Sequence, residues 1–135
     1  MRLLDERNFD RALESAKGLV LVDFYADWCG PCRALSPILE SLAPEYEGRV
    51  DFVKVDSDKS QRITQAFGVR SLPTVVVLKP KHPGPGAEVV GYFIGAKPAD
   101  GVRKVLDKAL DDRPGFFQRL FGKGGAKADD AKPDA

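Results

Sequence analysis

The run GLVLVDFYADWCGPC, Gly18 to Cys32, holds the signals that decide the architecture. From Gly18 to Ala26 it is apolar at both parities and rich in Leu, β-branched and aromatic residues, with Asp23 the one charge. A strand with a solvated face alternates; this pattern reads instead as a strand buried on both sides, in a sheet covered by helices on both faces. From Cys32 the pattern changes to Leu35, Ile38, Leu39, Leu42 and Tyr46, one stripe of a helix. Pro37 is expected to kink that helix and Pro44 to weaken its last turns. Cys29 therefore falls at a helix N-terminus and Cys32 one turn inside, with both sulfurs on the same side.

Outward from this run, a short strand around Arg2–Leu4 precedes a helix over Asn8 to Ala16, where Phe9, Leu13 and Ala16 recur at helical spacing. Val50–Val55 alternates as a third strand. Ser57, Asp58 and Ser60 offer N-caps for a short helix that carries Ile63 and Phe67 and closes at Gly68. Thr74–Leu78, opened by Pro73, and Glu88–Ile94 read as two more strands. Pro98 starts a helix with Val102, Val105, Leu106, Ala109 and Leu110 on one face. The order β-α-β-α-β-α-β-β-α predicts an α/β fold, a mixed sheet of five strands (at least four) flanked by helices.

Composition narrows the functional classes. The chain has 135 residues, 43% hydrophobic and 30% charged, the profile of a globular protein. Lys+Arg 21 against Asp+Glu 20 leaves a net charge of +1, which argues against nucleic-acid binding through excess basic charge. The N-terminal MRLLDERNFDRALESAKG has scattered charges and no apolar core of signal-peptide length, and Leu19–Ala26 is too short to span a membrane. A cytoplasmic, reducing setting is the expectation. Two cysteines exclude both a disulfide-framework scaffold and a four-thiolate zinc site.

The placement of the cysteines says more than their number. At a helix N-terminus, backbone N–H groups and the helix dipole stabilise a thiolate at Cys29, while Cys32 is expected to be more deeply packed and to stay a thiol. Gly30 removes a side chain beside the nucleophile, and Pro31 presets φ at the helix start. A purely structural disulfide closing so short a loop would stabilise by only about 2 kcal/mol. A zinc half-site would find no third cysteine, with His82 alone and read as a surface residue. Two coincidental core cysteines would leave the helix-start position unexplained. A redox pair accounts for it.

These residues resemble the thioredoxin family. The likeness rests on VDFYADWCGPC (Val22 to Cys32), the helix with Ser36-Pro37-Ile38-Leu39, VKVD at Val53 to Asp56, VRSLPT at Val69 to Thr74, and Gly95 after the last strand. It implies a thioredoxin fold and a protein disulfide reductase working through Cys29 and Cys32. It implies no bound cofactor or metal; electrons would come from NADPH through a thioredoxin reductase, and the partners would be that enzyme and disulfide-containing proteins, met by a monomer. Isomerase-like and oxidase-like relatives typically place a His between the cysteines, so Gly30-Pro31 favours the reductant.

The resemblance also gives roles to neighbouring residues. Asp23, a carboxylate too costly to bury alone, would be a buried proton acceptor for Cys32, acting through water; the alternative is a carboxylate tied to backbone N–H groups. Lys54 would pair with Asp23; the alternative is a solvated strand lysine. Pro73, which spacing alone would make trans, would be cis and leave the Leu72 backbone free to pair with an extended substrate. Trp28, Gly30, Pro31, Leu72, Pro73, Gly95 and Ala96 would form a shallow groove, unless Trp28 is core filler.

Two stretches depart from the family. Lys79 to Ala87 is a longer connection than relatives use; its Pro and Gly content is read as excluding strand or helix, and strand length puts it about 17 Å from the chemistry. After a domain of residues 1–110, residues 111–135 form an extension: FFQRLF, with Phe116, Phe117, Leu120 and Phe121 as one helical stripe, then a polar tail expected to be disordered. Burying that stripe would gain roughly 6–12 kcal/mol against a similar ~6–12 kcal/mol of ordering cost. Docking on its own domain, contact with a partner or second copy, and a membrane surface stay open. A binding or chaperone module using this stripe, and a thiol oxidase or isomerase, are the alternatives to the reductase.

Overall fold

Strand alternation decides which helices cover which face. In a computed structural model that describes residues 1–111, the elements are β1 Arg2–Leu4, α1 Phe9–Ser15, β2 Leu19–Tyr25, α2 Gly30–Leu42, β3 Val50–Asp56, α3 Gln61–Ala66, β4 Thr74–Pro80, β5 Ala87–Ile94 and α4 Ala99–Leu110. The strands form one mixed sheet in the order β1-β3-β2-β4-β5. β1, β3 and β2 are parallel, and β4 and β5 each run antiparallel to the preceding neighbour in that order. Leu19 and Leu21 of β2, Val50 and Phe52 of β3, and Val75 and Val77 of β4 pack on Leu35, Leu39 and Leu42 of α2 and Val102 and Leu106 of α4. Val20, Val22, Phe24, Val53, Val55, Val76 and Leu78 pack on Phe9, Ala12 and Leu13 of α1 and Ile63 of α3. The expected five-stranded mixed sheet with helices on both faces is the observed one, because both side-chain parities of β2 are apolar.

Some local details follow expectation and others differ. α2 runs through Pro37 to Leu42, and the stripe that reaches Tyr46 ends in a 3₁₀ turn, Ala43–Tyr46, where Pro44 cannot donate to a continuing helix. Ser60 takes the N-cap position of α3 but makes no side-chain cap bond. Asp56 instead accepts from the Asp58 and Lys59 amides, at 2.9 and 3.3 Å, and turns the chain out of β3. Pro98 is the N-cap of α4 rather than its first residue.

The connection after β4 is shorter than its composition suggested. Lys79, Pro80 and Ala87 are in strand: Lys79 pairs with Glu88 and Pro80 with Ala87 across the sheet edge, where a proline is tolerated. Exposed residues 81–86 remain as the loop, closed by the Lys81 amide on the Gly86 carbonyl at 3.0 Å. The segment Phe116–Phe121 and the polar tail lie outside the described residues.

Gly18 opens β2 where that strand meets the end of the 43–49 segment. Its missing side chain is a steric requirement, because a Cβ there would collide with the Arg49 carbonyl oxygen, which also accepts the Leu19 amide at 3.0 Å. Gly18→Ala is expected to cost about 1–3 kcal/mol by overpacking against backbone and to lower Tm by roughly 4–10 °C. Thermal unfolding checks this; an unchanged Tm would mean that the strand start yields freely.

Candidate functional site

β2 passes to α2 through four residues, and that turn builds the site. The Cys29 amide donates to the Ala26 carbonyl at 3.1 Å. Cys29 is the N-cap of α2 in extended backbone conformation, and its Sγ accepts the Cys32 amide at 3.2 Å. One of the helix's unpaired N-terminal amides thus points at sulfur. Cys29 and Cys32 form a disulfide, with Cα atoms 5.3 Å apart. Both are buried, 4% and 3% exposed, so burial in the disulfide form barely separates them. The disulfide folds both sulfurs into one small cluster with Ala26, Tyr25 and Leu72.

The same alternation that sorts the core aims Asp23 at this cluster. Leu19 and Leu21 face α2, so Asp23, two residues on, faces its first turn. Asp23 is 2% exposed and its Oδ1 has no hydrogen-bond partner, which excludes a carboxylate fully tied to backbone amides. Burial pushes its pKa from 3.8 up to about 7, with the Lys54 charge partly opposing. A cavity of about 170 Å³ joins Asp23 to Cys32 and is lined also by Tyr25, Asp27, Arg33, Ser36 and Lys54. That volume holds several waters.

Lys54 is the strand partner of Asp23, but the two form no direct ion pair among the described residues. The ammonium lies over the Tyr25 ring instead, 5.4 Å from its centroid. The expected Asp23–Lys54 pair is therefore an electrostatic neighbour without contact.

On the outer side, the Leu72–Pro73 bond is cis. Leu72 lies just before the β4 ladder, which begins at Thr74 opposite Ile94, and the Gly95 amide donates to the Pro73 carbonyl at 2.8 Å. Gly95 has φ +88, a conformation that favours glycine. Pro31 and Ala96 are exposed, and a side chain at Gly30 would meet only open space. Trp28 is 68% exposed, which rules out core filler, and its Nε1 donates to Asp58 Oδ2 at 2.9 Å. Of the residues expected to line a groove, Leu72 packs against the two cysteines, and Trp28, Gly30 and Pro31 adjoin them in the chain. His82, exposed in the 81–86 loop, belongs to the far end of β4.

Sequence reasoning missed Asp58 as the partner of Trp28, and Tyr25, Asp27, Arg33 and Ser36 as cavity walls. The available signal for Tyr25 was parity with Asp23; nothing local links Trp28 to a residue 30 positions away. Among the described residues, no group of His, Cys, Asp and Glu could hold a metal ion, and no helix is long and apolar enough to cross a membrane.

The family model described as Thioredoxin matches residues 1–108. The chain belongs to the thioredoxin family. It is 40% identical over 105 residues to the thioredoxin of Staphylococcus haemolyticus, covering 78% of this chain and 93% of that one. It is 38% identical over 106 residues to the chloroplastic M-type thioredoxin of Zea mays, covering 78% of this chain and 60% of that one. Among solved structures, chloroplastic thioredoxin z matches with a TM-score of 0.68 at 27% identity, over 81% of this chain and 93% of the other. Thioredoxins are thiol–disulfide oxidoreductases that carry no bound cofactor, and this one holds the matching pair as a disulfide.

The orphaned carboxyl of this thioredoxin has a consequence for stability. Between pH 3.8 and about 7 the folded protein keeps the Asp23 proton that the unfolded chain has released, so stability falls as pH rises through that window. Asp23→Asn is expected to stabilise the oxidised protein by roughly 3–5 kcal/mol at pH 8 and by little near pH 4. Denaturant unfolding at both pH values measures this, and an equal effect at both would contradict a raised Asp23 pKa.

Proposed function

We propose that this thioredoxin reduces protein disulfides by dithiol–disulfide exchange, with Cys29 attacking and Cys32 resolving. In the reduced protein, the Cys29 thiolate attacks one sulfur of a substrate disulfide; a Cys29–substrate bond forms and the other substrate sulfur leaves as a thiolate. Cys32 loses its proton to Asp23, by way of water in the shared cavity, and its thiolate attacks Cys29 Sγ. The substrate leaves with both sulfurs reduced, and the protein is left as the Cys29–Cys32 disulfide. The observation that carries this reading is the pair at the N-terminus of α2 with Cys32 and the orphaned Asp23 carboxyl on one cavity. Lys54 acts on Asp23 through its charge.

Trp28, Gly30, Pro31, Leu72, Pro73, Gly95 and Ala96 form the substrate groove in this reading. The Leu72 backbone, outside the β4 ladder, pairs with an extended substrate segment. The cycle closes when a thioredoxin reductase returns two electrons from NADPH. We assign the protein to the cytoplasm, as a monomer whose domain is residues 1–110. Gly30-Pro31 supports the reductant over an oxidase or isomerase, because no cation sits between the cysteines to stabilise the reduced form.

Cys32→Ser is expected to accumulate a covalent substrate adduct through Cys29, read as a mass shift reversed by dithiothreitol. The same adducts on Cys29→Ser instead would reverse the two roles. Insulin reduction is expected to be lost in both variants, and activity surviving in either would reject the exchange mechanism.

A further inference from the structure

Tyr25 and Lys54 stand together at the cavity that Asp23 and Cys32 share, and this inference rests on the proton-acceptor reading of Asp23. Alternation puts Asp23 and Tyr25 on one face of β2, with Lys54 and Asp56 on the matching face of β3. The parallel register pairs Asp23 with Lys54 and Tyr25 with Asp56. Lys54 has a choice of neighbours: the carboxyl directly opposite, open water, or the ring on the diagonal. It takes the ring, with Nζ 5.4 Å from the centroid, and both side chains border the cavity.

We propose that Tyr25 is a positioning residue whose ring holds the Lys54 ammonium within electrostatic reach of Asp23 but out of contact with it. Each alternative would spoil proton exchange. An ammonium in direct contact would keep Asp23 ionised and unable to take a proton at neutral pH. An ammonium extended into water, the usual habit of a strand lysine, would leave burial alone to hold the carboxyl protonated. The aromatic face attracts the cation without neutralising it, because a ring quadrupole carries no net charge.

The other groups facing Asp23 leave this assignment to Lys54. From β3 comes Asp56, which faces Tyr25 across the register, and from the β2–α2 turn comes Asp27, which lines the cavity; both carboxylates act on Tyr25. From α2 come Cys32, Arg33 and the Ser36 hydroxyl, and Arg33 is engaged at the Asp27 carbonyl at 2.6 Å. From β4 the register partner is the apolar Val75. Lys54 is the cation that acts on the Asp23 carboxyl.

The test follows the ¹³C shift of the Asp23 carboxyl against pH in the oxidised full-length protein. Tyr25→Leu is expected to raise its midpoint by about half a pH unit or more, and Tyr25→Met, which also lacks a ring, to do the same. Tyr25→Phe keeps the ring and is expected to restore the wild-type midpoint. Lys54→Met alone raises it, and adding Tyr25→Leu to Lys54→Met gives no further shift. A wild-type midpoint in both ringless variants, or additive shifts in the double variant, would overturn the proposal. A separate arm follows the pH dependence of mixed-disulfide resolution in Asp23→Asn. If its inflection near neutral pH persists there, the proton-acceptor reading of Asp23 fails, whatever the carboxyl shifts say of Tyr25 and Lys54.

Discussion

A central strand covered on both faces has no side that looks at water, and that constraint governs this molecule. Every residue of β2 must be apolar or be held by something buried beside it. Five of the seven, Leu19, Val20, Leu21, Val22 and Phe24, glue the two helical layers to the sheet, and Tyr25 borders the cavity at its end. The seventh, Asp23, sits where the strand meets the first turn of α2, on the cavity it shares with Cys32. The sheet therefore separates two tasks along one strand: its lower part makes the core, and its upper end makes the chemistry.

The upper end works because several short elements converge on it without touching the core's integrity. The β2–α2 turn brings the disulfide, the segment before β4 brings Leu72 and Pro73, and the chain leaving β5 brings Gly95. The Cys29 amide on the Ala26 carbonyl and the Gly95 amide on the Pro73 carbonyl hold these segments beside the strand ends. A buried carboxyl oxygen that lacks a hydrogen-bond partner costs stability near neutral pH, and the cost falls on the residue proposed as the proton acceptor. Strain against stability at such a position is the usual mark of a working site.

Much of this was legible in the residues, and what was not has a common cause. The element order, both core faces, the position of Cys29 at the helix start and the oddity of Asp23 all follow from patterns within one segment. The equal burial of the two cysteines was not legible, because it depends on Leu72, forty residues on from Cys32, closing over them. Lys54 over Tyr25 was missed because pairing was judged straight across the strands, while the side chain leans diagonally. The Lys79–Ala87 connection misled through composition: Pro80 is harmless on an edge pair, so strand pairing continues past it. The cis bond at Pro73 came from family likeness alone; nothing in local spacing distinguishes it from trans.

The exposed indole of Trp28 has an optical consequence. It is the chain's one tryptophan, it adjoins Cys29, and a hydrogen bond to Asp58 holds its ring in place. Disulfides quench excited indoles at close range, whereas thiols do so far less. The emission of this single fluorophore therefore reports the redox state of the pair beside it, and every turnover leaves a light signal that needs no added dye.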